Sequence, residues 1–375
     1  MATSSSPPLP DTMKAHFLTA YNIPYTLRTV PLPTLTSPYD ILIRVTAASY
    51  CHTDLVIAEG NMPPQPPKFP HVGCHEFAGE VCFIPSSSAC PLKLGDRVGV
   101  PGRSYLPCGE CEECLEHGQE DSDEVGFSMF CAKSKSNGIS KDGGFAEYVV
   151  VDYRQVARVP EGMDDTQAAT MMCAGVTVYN ALKRCGLKPG QRVGIMGCGG
   201  GLGHLGLQFA KAMGYKVIGV EAGDGPLKVA ESLQTGAKLV DARTQKWEGV
   251  VAELGREDGK TLRGESGVDA VLILPESQRA FDYGIKLVKN HGTCVVVSFP
   301  AAGFQFSCQD IVFRDIKIIG SLVGTAKTLR ETVEFAAKHD IKSILQTYPL
   351  DKLNELVEKY HEGGGGKLVV DLTLK

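Results

Sequence analysis

The stretch RVGIMGCGGGLGHLGLQFAKAMGYKVIGVE, residues 192–221, constrains this chain more than any other. An apolar run ends in a glycine turn, the turn opens a helix-period pattern, and a second apolar run, KVIGVE, follows. That order is a βαβ unit, which places two strands parallel in one sheet. Parallel sheets are covered on both faces, and the runs DAVLILP and GTCVVVSF have the near-continuous hydrophobicity such strands need. This half of the chain reads as a doubly wound α/β domain.

Gly197, Gly200, Gly201 and Gly203 form the turn between strand and helix. A dinucleotide pyrophosphate needs a bare backbone to approach, together with the free N–H groups and partial positive charge of a helix N-terminus. The pattern G-x-x-G-G-x-G is one residue longer than the plain six-residue fingerprint, as a longer turn would require. Glu221 ends the second strand, where a carboxylate accepts hydrogen bonds from both adenosine-ribose hydroxyls and repels a 2′-phosphate. NAD is expected, with NADP the less favoured cofactor. The plainer reading of Glu221 is a surface residue at a strand end.

At 375 residues the chain is too long for one core, so two domains are expected. Residues 15–160 read as short strands broken by Gly and Pro. DILIRVTAA puts Ile41, Ile43 and Val45 on one face of a half-buried strand, and FAGEVCFI, GDRVGVPG and GFAEYVVVD follow the same period. Near the C-terminus, TLRETVEFAAKH opens with Thr328 and Glu331 at capping-box spacing, DKLNELVEKYHE is a second amphipathic helix, and KLVVDLTL is a closing strand. The net charge of −5 gives no electrostatic footprint for nucleic acid or an anionic membrane. No apolar run approaches the length of a membrane span, and the N-terminus reads as a polar arm without a leader, so a cytoplasmic location is expected.

The chain has thirteen cysteines, an odd number that in a reducing compartment argues for metal over a disulfide framework. CGECEEC sets Cys108, Cys111 and Cys114 in two tandem C-x-x-C steps, the spacing of a structural zinc site. The fourth ligand is expected from Cys131, with His117 as the alternative. The acidic stretch between them, LEHGQEDSDEVGF, reads as a solvated loop. Cys51 in CHTD, His75 in CHEFAGE and Cys173 in MMCAGVTVYNAL complete the candidates, although spacing alone does not select these three.

Taken in order, CHTD, GCHEFAGEV, CGECEEC, CAGVTVYNAL, GGGLGHLGLQFAKAMGYKVIGVE and IGSLVGTAKTLRE resemble the zinc-dependent alcohol dehydrogenases of the medium-chain dehydrogenase/reductase superfamily, nearest the yeast type. The resemblance runs from about residue 14 to the C-terminus. It implies a GroES-like, mostly-β catalytic domain from residues 1–173 and 321–375, and a Rossmann NAD-binding domain from 174–320. It implies catalytic zinc on Cys51, His75 and Cys173, beside the structural zinc. Glu76 matches a carboxylate that approaches the metal during ligand exchange, and Asp54 a partner that orients the metal-bound His. Thr53 matches the hydroxyl that takes the alcohol proton and passes it to the cofactor ribose. His52 and Lys367 match polar or cationic positions near the pyrophosphate, and Thr177, Val297, Ser321 and Val323 fall where the nicotinamide is held.

The implied reaction interconverts an alcohol with an aldehyde or ketone by hydride transfer, and a homo-dimer or homo-tetramer is expected. Three departures stand out. Val56 replaces the histidine that ends the proton relay in many relatives, Cys74 replaces a usual glycine, and the loop between Cys114 and Cys131 is nine residues longer than the usual seven. The competing readings are C=C reduction or a non-redox rearrangement on the same scaffold, and a non-catalytic binding protein. Zinc at Cys51, His75 and Cys173 argues against C=C reduction, and retention of every zinc ligand and of Glu221 disfavours the non-catalytic protein.

Overall fold

The computed structural model describes residues 9–62, 69–103, 105–115 and 127–374. The start of the polar arm, most of the Pro-rich turn after Asn61, His117 and the acidic residues around it lie outside the described residues.

β1 (Thr12–Phe17) and β2 (Thr26–Pro31) form an antiparallel pair. β3 (Asp40–Tyr50) is followed by α1 (His52–Ala58), β4 (Glu76–Phe83), β5 (Arg97–Pro101), the one-turn α2 (Glu112–Leu115), β6 (Tyr148–Asp152) and β7 (Ala157–Arg158). α3 (Asp165–Thr170), a π-helical turn (Met171–Gly175) and α4 (Val176–Arg184) lead into a second lobe. There β8 (Arg192–Met196), β9 (Lys216–Glu221), β10 (Lys238–Asp241), β11 (Val268–Ile273), β12 (Val288–Val296) and β13 (Lys317–Gly320) alternate with α5 (Gly203–Ala212), α6 (Asp224–Ser232), α7 (Trp247–Glu257), α8 (Gln278–Leu287) and α9 (Cys308–Val312). The chain closes with α10 (Ala326–Lys338), β14 (Leu345–Tyr348), α11 (Leu353–His361) and β15 (Lys367–Asp371).

Among the described residues, β8 to β13 make one all-parallel sheet in the order β10-β9-β8-β11-β12-β13. The direction of winding reverses between β8 and β11, so a crevice opens beyond the carboxyl ends of these two strands. Every residue of β8 is buried, as strands covered on both faces require. The other sheet runs β14-β15-β3-β4-β5-β7, with β6 also on β3. It is antiparallel except for β14 on β15. β15 brings the C-terminal segment back onto β3, so both ends of the chain build this lobe.

Two expectations need correction. β3 is not half-buried: every residue but Arg44 is buried. It lies inside the sheet, with Ile41, Ile43 and Val45 in the first lobe's core, while Ala47 joins a second core beneath α3 and α4. The helix at 326–338 is not capped by Thr328 and Glu331. Its N-cap is Thr325, whose side-chain oxygen accepts the Thr328 N–H at 3.1 Å. Thr328 is buried within the first turn, and Glu331 instead meets Lys183 Nζ at 2.7 Å. Replacing Thr325 by Ala should therefore destabilise the protein by about 0.5–2 kcal/mol, read as a lower midpoint in urea denaturation.

Candidate functional site

β3 ends at Tyr50, and the next residue, Cys51, is the N-cap of α1 with extended backbone. Its N–H donates to Asp54 Oδ2 at 3.0 Å. The other oxygen of Asp54 accepts the Cys74 N–H at 3.0 Å and meets His75 Nδ1 at 3.3 Å. One buried carboxylate thus ties the start of α1 to the segment that enters β4. With Nδ1 held there, His75 turns Nε2 toward Cys173 Sγ, 3.3 Å away. Cys173 comes from the π-helical turn between α3 and α4. Such turns are rare and concentrate at functional sites.

The ligand atoms of Cys51, His75 and Cys173 lie within 4.8 Å of one another. A hydrogen bond from Cys173 pulls the Cys51 thiol well below the ordinary thiol value, and the same contact with burial pushes Cys173 up. Two sulfurs and one imidazole nitrogen thus face a common centre. Two sulfurs and a nitrogen suit zinc with its fourth position open.

Glu76, the first residue of β4, is fully buried. Oε1 accepts from Ser49 Oγ at 3.0 Å and pairs with the Lys367 ammonium, and Oε2 accepts the Ala174 N–H at 3.3 Å. Burial drives Glu76 upward, and the Lys367 charge opposes that rise. Lys367 Nζ also donates to Tyr50 O at 3.0 Å. Its stem passes Gly201, but its charge is spent on Glu76 rather than turned into the glycine turn.

His52 stands where the lobes face each other: Nδ1 meets Tyr360 OH at 3.3 Å and Nε2 meets Glu276 Oε1, just past β11, at 3.5 Å. Thr53 and Val56 are half-buried on α1, Val56 against the first lobe's core.

The glycine turn joins β8 to α5, with Gly197 at a φ of +74°. A Cβ on Gly203 would lie 2.1 Å from Gly197 O, and one on Gly199 would lie 1.7 Å from Pro226 O. The fold itself demands glycine at both. Gly199 escaped the sequence reading, although the unbroken run Gly199–Gly201 was its signal. At Gly200 and Gly201 the nearest atoms stand at 3.4 Å, so internal packing leaves more room there. Glu221 caps the end of β9 and accepts the Gly199 N–H at 3.1 Å and the Ala222 N–H at 2.8 Å. His204 is buried, with Nδ1 at 2.9 Å from Gly200 O; burial holds its pKa down at about 4.

Val297 and Ser321 follow β12 and β13 and line a cavity of ≈ 590 Å³ with Asn180 of α4. Ser321 Oγ is buried and has no hydrogen-bond partner among the described residues. Thr177 is buried in the first turn of α4, and Val323 has a left-handed φ of +41°.

Cys108, Cys111, Cys114 and Cys131 also lie within 4.8 Å of one another. Cys131 Sγ is 3.6 Å from Cys108 Sγ and 3.9 Å from Cys111 Sγ. The Glu110 backbone N–H pulls Cys108 down to about 6, while Cys111 is pushed up to about 12; the backbone N–H of Cys114 opposes that rise, and the Cys108 contact drives it. Four sulfurs gathered this closely resemble a closed, structural zinc site.

Residues 37–161 match the alcohol dehydrogenase GroES-like domain, and residues 201–338 match the zinc-binding dehydrogenase family. An alcohol dehydrogenase from Geobacillus stearothermophilus is 36% identical over 94% of this chain and 97% of its own. Among solved structures, an alcohol dehydrogenase from the archaeon Aeropyrum pernix is similar with a TM-score of 0.81 and 29% identity, covering 96% of this chain and 99% of the other. An acetophenone reductase from Geotrichum candidum in complex with NAD is similar with a TM-score of 0.79 and 25% identity, covering 97% and 98%.

Asp54 is the group on which the open three-ligand set depends. Asp54→Asn keeps the shape but removes the charge facing His75, and zinc at Cys51, His75 and Cys173 should be held about 10- to 100-fold less tightly. Competition of zinc-loaded protein with a chromophoric chelator reads this directly, with any zinc held by Cys108, Cys111, Cys114 and Cys131 as the internal control.

Proposed function

Because the chain belongs to the zinc-binding alcohol dehydrogenases, with a GroES-like domain and a Rossmann-type parallel sheet, we propose that it interconverts an alcohol and an aldehyde or ketone with NAD(H) and two zinc ions. The observation that carries this reading is the convergence of Cys51, His75 and Cys173 from three distant parts of the chain.

In this reading residues 1–173 and 321–375 form the catalytic domain and 174–320 the cofactor domain. Cys51, His75 and Cys173 hold the catalytic zinc, and Cys108, Cys111, Cys114 and Cys131 the structural one. Gly197, Gly200, Gly201 and Gly203 leave the backbone bare for the pyrophosphate, with His52 at the mouth. Thr177, Val297, Ser321 and Val323 hold the nicotinamide. When bound, zinc supplies a Lewis acid for the substrate oxygen and NAD(H) supplies the hydride exchange. Asp54 fixes the imidazole of His75 so that only Nε2 is offered to the metal. Thr53 Oγ1 takes the alcohol proton. Glu76, next to the Ala174 N–H, is the carboxylate that can reach the metal during ligand exchange once it leaves Lys367.

Glu221 supports NAD over NADP, because a second anion against its carboxylate is repelled. Assembly into a dimer or tetramer is supported by the edge strand β13 and by the exposed apolar side chains Phe306, Val312 and Phe313 in the segment that leads into it. No described helix is long and apolar enough to cross a membrane.

Consumption of NADH against a panel of aldehydes and ketones, with zinc content measured on the same sample, tests the proposal. Turnover with two zinc ions per chain is expected, and no turnover by a zinc-loaded chain that binds NADH overturns it. Glu221→Ser should raise the NADPH-to-NADH ratio of kcat/KM by about tenfold or more. Val56→His places a titrating group on α1 beside Thr53 and His52, and should change the pH profile of alcohol oxidation; an identical profile would count against Val56 as the missing end of the relay.

A further inference from the structure

An ion contact bridges the two lobes at the rim of the crevice, and Glu276, its acidic member, has no part in the reading above. Glu276 follows Leu274 and Pro275 at the carboxyl end of β11. β11 lies beside β8 where the winding reverses, so this end opens on the crevice. Pro275 packs closely on the glycine turn: a Cβ on Gly197 would lie 2.7 Å from Pro275 Cγ. Ser298 Oγ donates to Pro275 O at 2.9 Å, and Ser277 caps α8, its Oγ accepting the Ala280 N–H at 3.4 Å. The backbone of Glu276 is thus fixed on both sides, one residue from the contact with the first glycine of the turn.

Across the crevice, Glu276 Oε1 lies 3.5 Å from His52 Nε2. A carboxylate only accepts, so Nε2 carries the hydrogen turned toward it. Nδ1 meets Tyr360 OH at 3.3 Å, and the Tyr360 ring stands edge-on to Tyr50 with 5.0 Å between centroids. The imidazole is therefore anchored from the first lobe and offers Nε2 to the second. The His52 and Glu276 side chains are 47% and 34% exposed. A pair this open to water is weak and is readily exchanged for another anion. The diphosphate of a dinucleotide on the glycine turn is such an anion. Glu276 competes with it for Nε2, and like charges repel.

We propose that Glu276 is a positioning residue that regulates cofactor exchange. It holds His52 between the lobes and competes with the cofactor's diphosphate for Nε2, so NAD(H) binds more weakly and leaves faster than it would without this carboxylate. The inference rests on the cofactor reading above.

The test uses zinc-loaded enzyme and NADH fluorescence, in equilibrium titration and in stopped-flow release. Glu276→Gln keeps the shape and removes the charge. It should lower Kd for NADH by about 3- to 10-fold and slow release by a similar factor. In the His52→Ala background the same substitution should change Kd by less than about twofold. Displacement of NADH by ADP and by adenosine separates the diphosphate from the nucleoside: Glu276→Gln should tighten ADP and leave adenosine unchanged. If Glu276→Gln binds NADH no more tightly than the unaltered enzyme, or tightens it equally with and without His52, the role of Glu276 is overturned and the cofactor reading stands. Equal tightening of adenosine and ADP would place the effect in the packing of the crevice, and that also overturns it. If the unaltered enzyme does not bind NADH at all, both fall.

Discussion

The buried carboxylate of Asp54 is the contact on which the rest of the site depends. It is only 1% exposed, and an isolated carboxylate there would cost several kcal/mol. The N–H groups of Cys51 and Cys74 and the His75 ring offset that cost. Their positions then follow. Cys51 starts a helix, Cys74 is bent into a left-handed conformation with a φ of +74°, and His75 turns inward. A side chain at such a φ is costly by about 1–3 kcal/mol and persists where its surroundings over-determine it. Here they do. The Cys74 N–H is committed to Asp54, its thiol reaches Glu76 O at 3.3 Å, and Gly138 and Gly143 crowd its carbonyl so closely that neither could carry a Cβ.

A second buried pair works beside the first. Glu76 and Lys367 belong to β4 and β15, distant in sequence but both flanking β3. Their ion pair lies between the cluster of Cys51, His75 and Cys173 on one side and the glycine turn on the other. Lys367 touches Tyr50 O, one residue before Cys51, and its stem approaches Gly201. The electrostatics of the metal-binding group and the packing of the turn therefore meet at one side chain.

How much of this was legible in the sequence depends on how local each feature is. The βαβ unit could be read because apolar period and glycine turn lie within thirty consecutive residues. The tandem C-x-x-C of Cys108, Cys111 and Cys114 could be read for the same reason, while Cys131 comes home only through the fold. Cys51, His75 and Cys173 are separated by whole elements, and Cys173 sits in a π turn that no spacing rule announces, so resemblance rather than geometry singled them out. Lys367 was placed by its neighbourhood and not by its partner, because an ion pair across two strands leaves no trace in sequence. β3 was misjudged because alternation reports one buried face, and the sequence of a strand does not say that helices cover the other.

The core beneath α3 and α4 runs without a break from one lobe to the other. Ala47, Ala78 and Ala157 of the first lobe, Val369 of the C-terminal strand and Val193 and Ile195 of the parallel sheet all belong to it. The connection between the lobes is thus a packed interior and not a tether. Heat cannot melt one lobe without uncovering apolar surface of the other, and a fragment cut near residue 173 would leave part of that interior open to water.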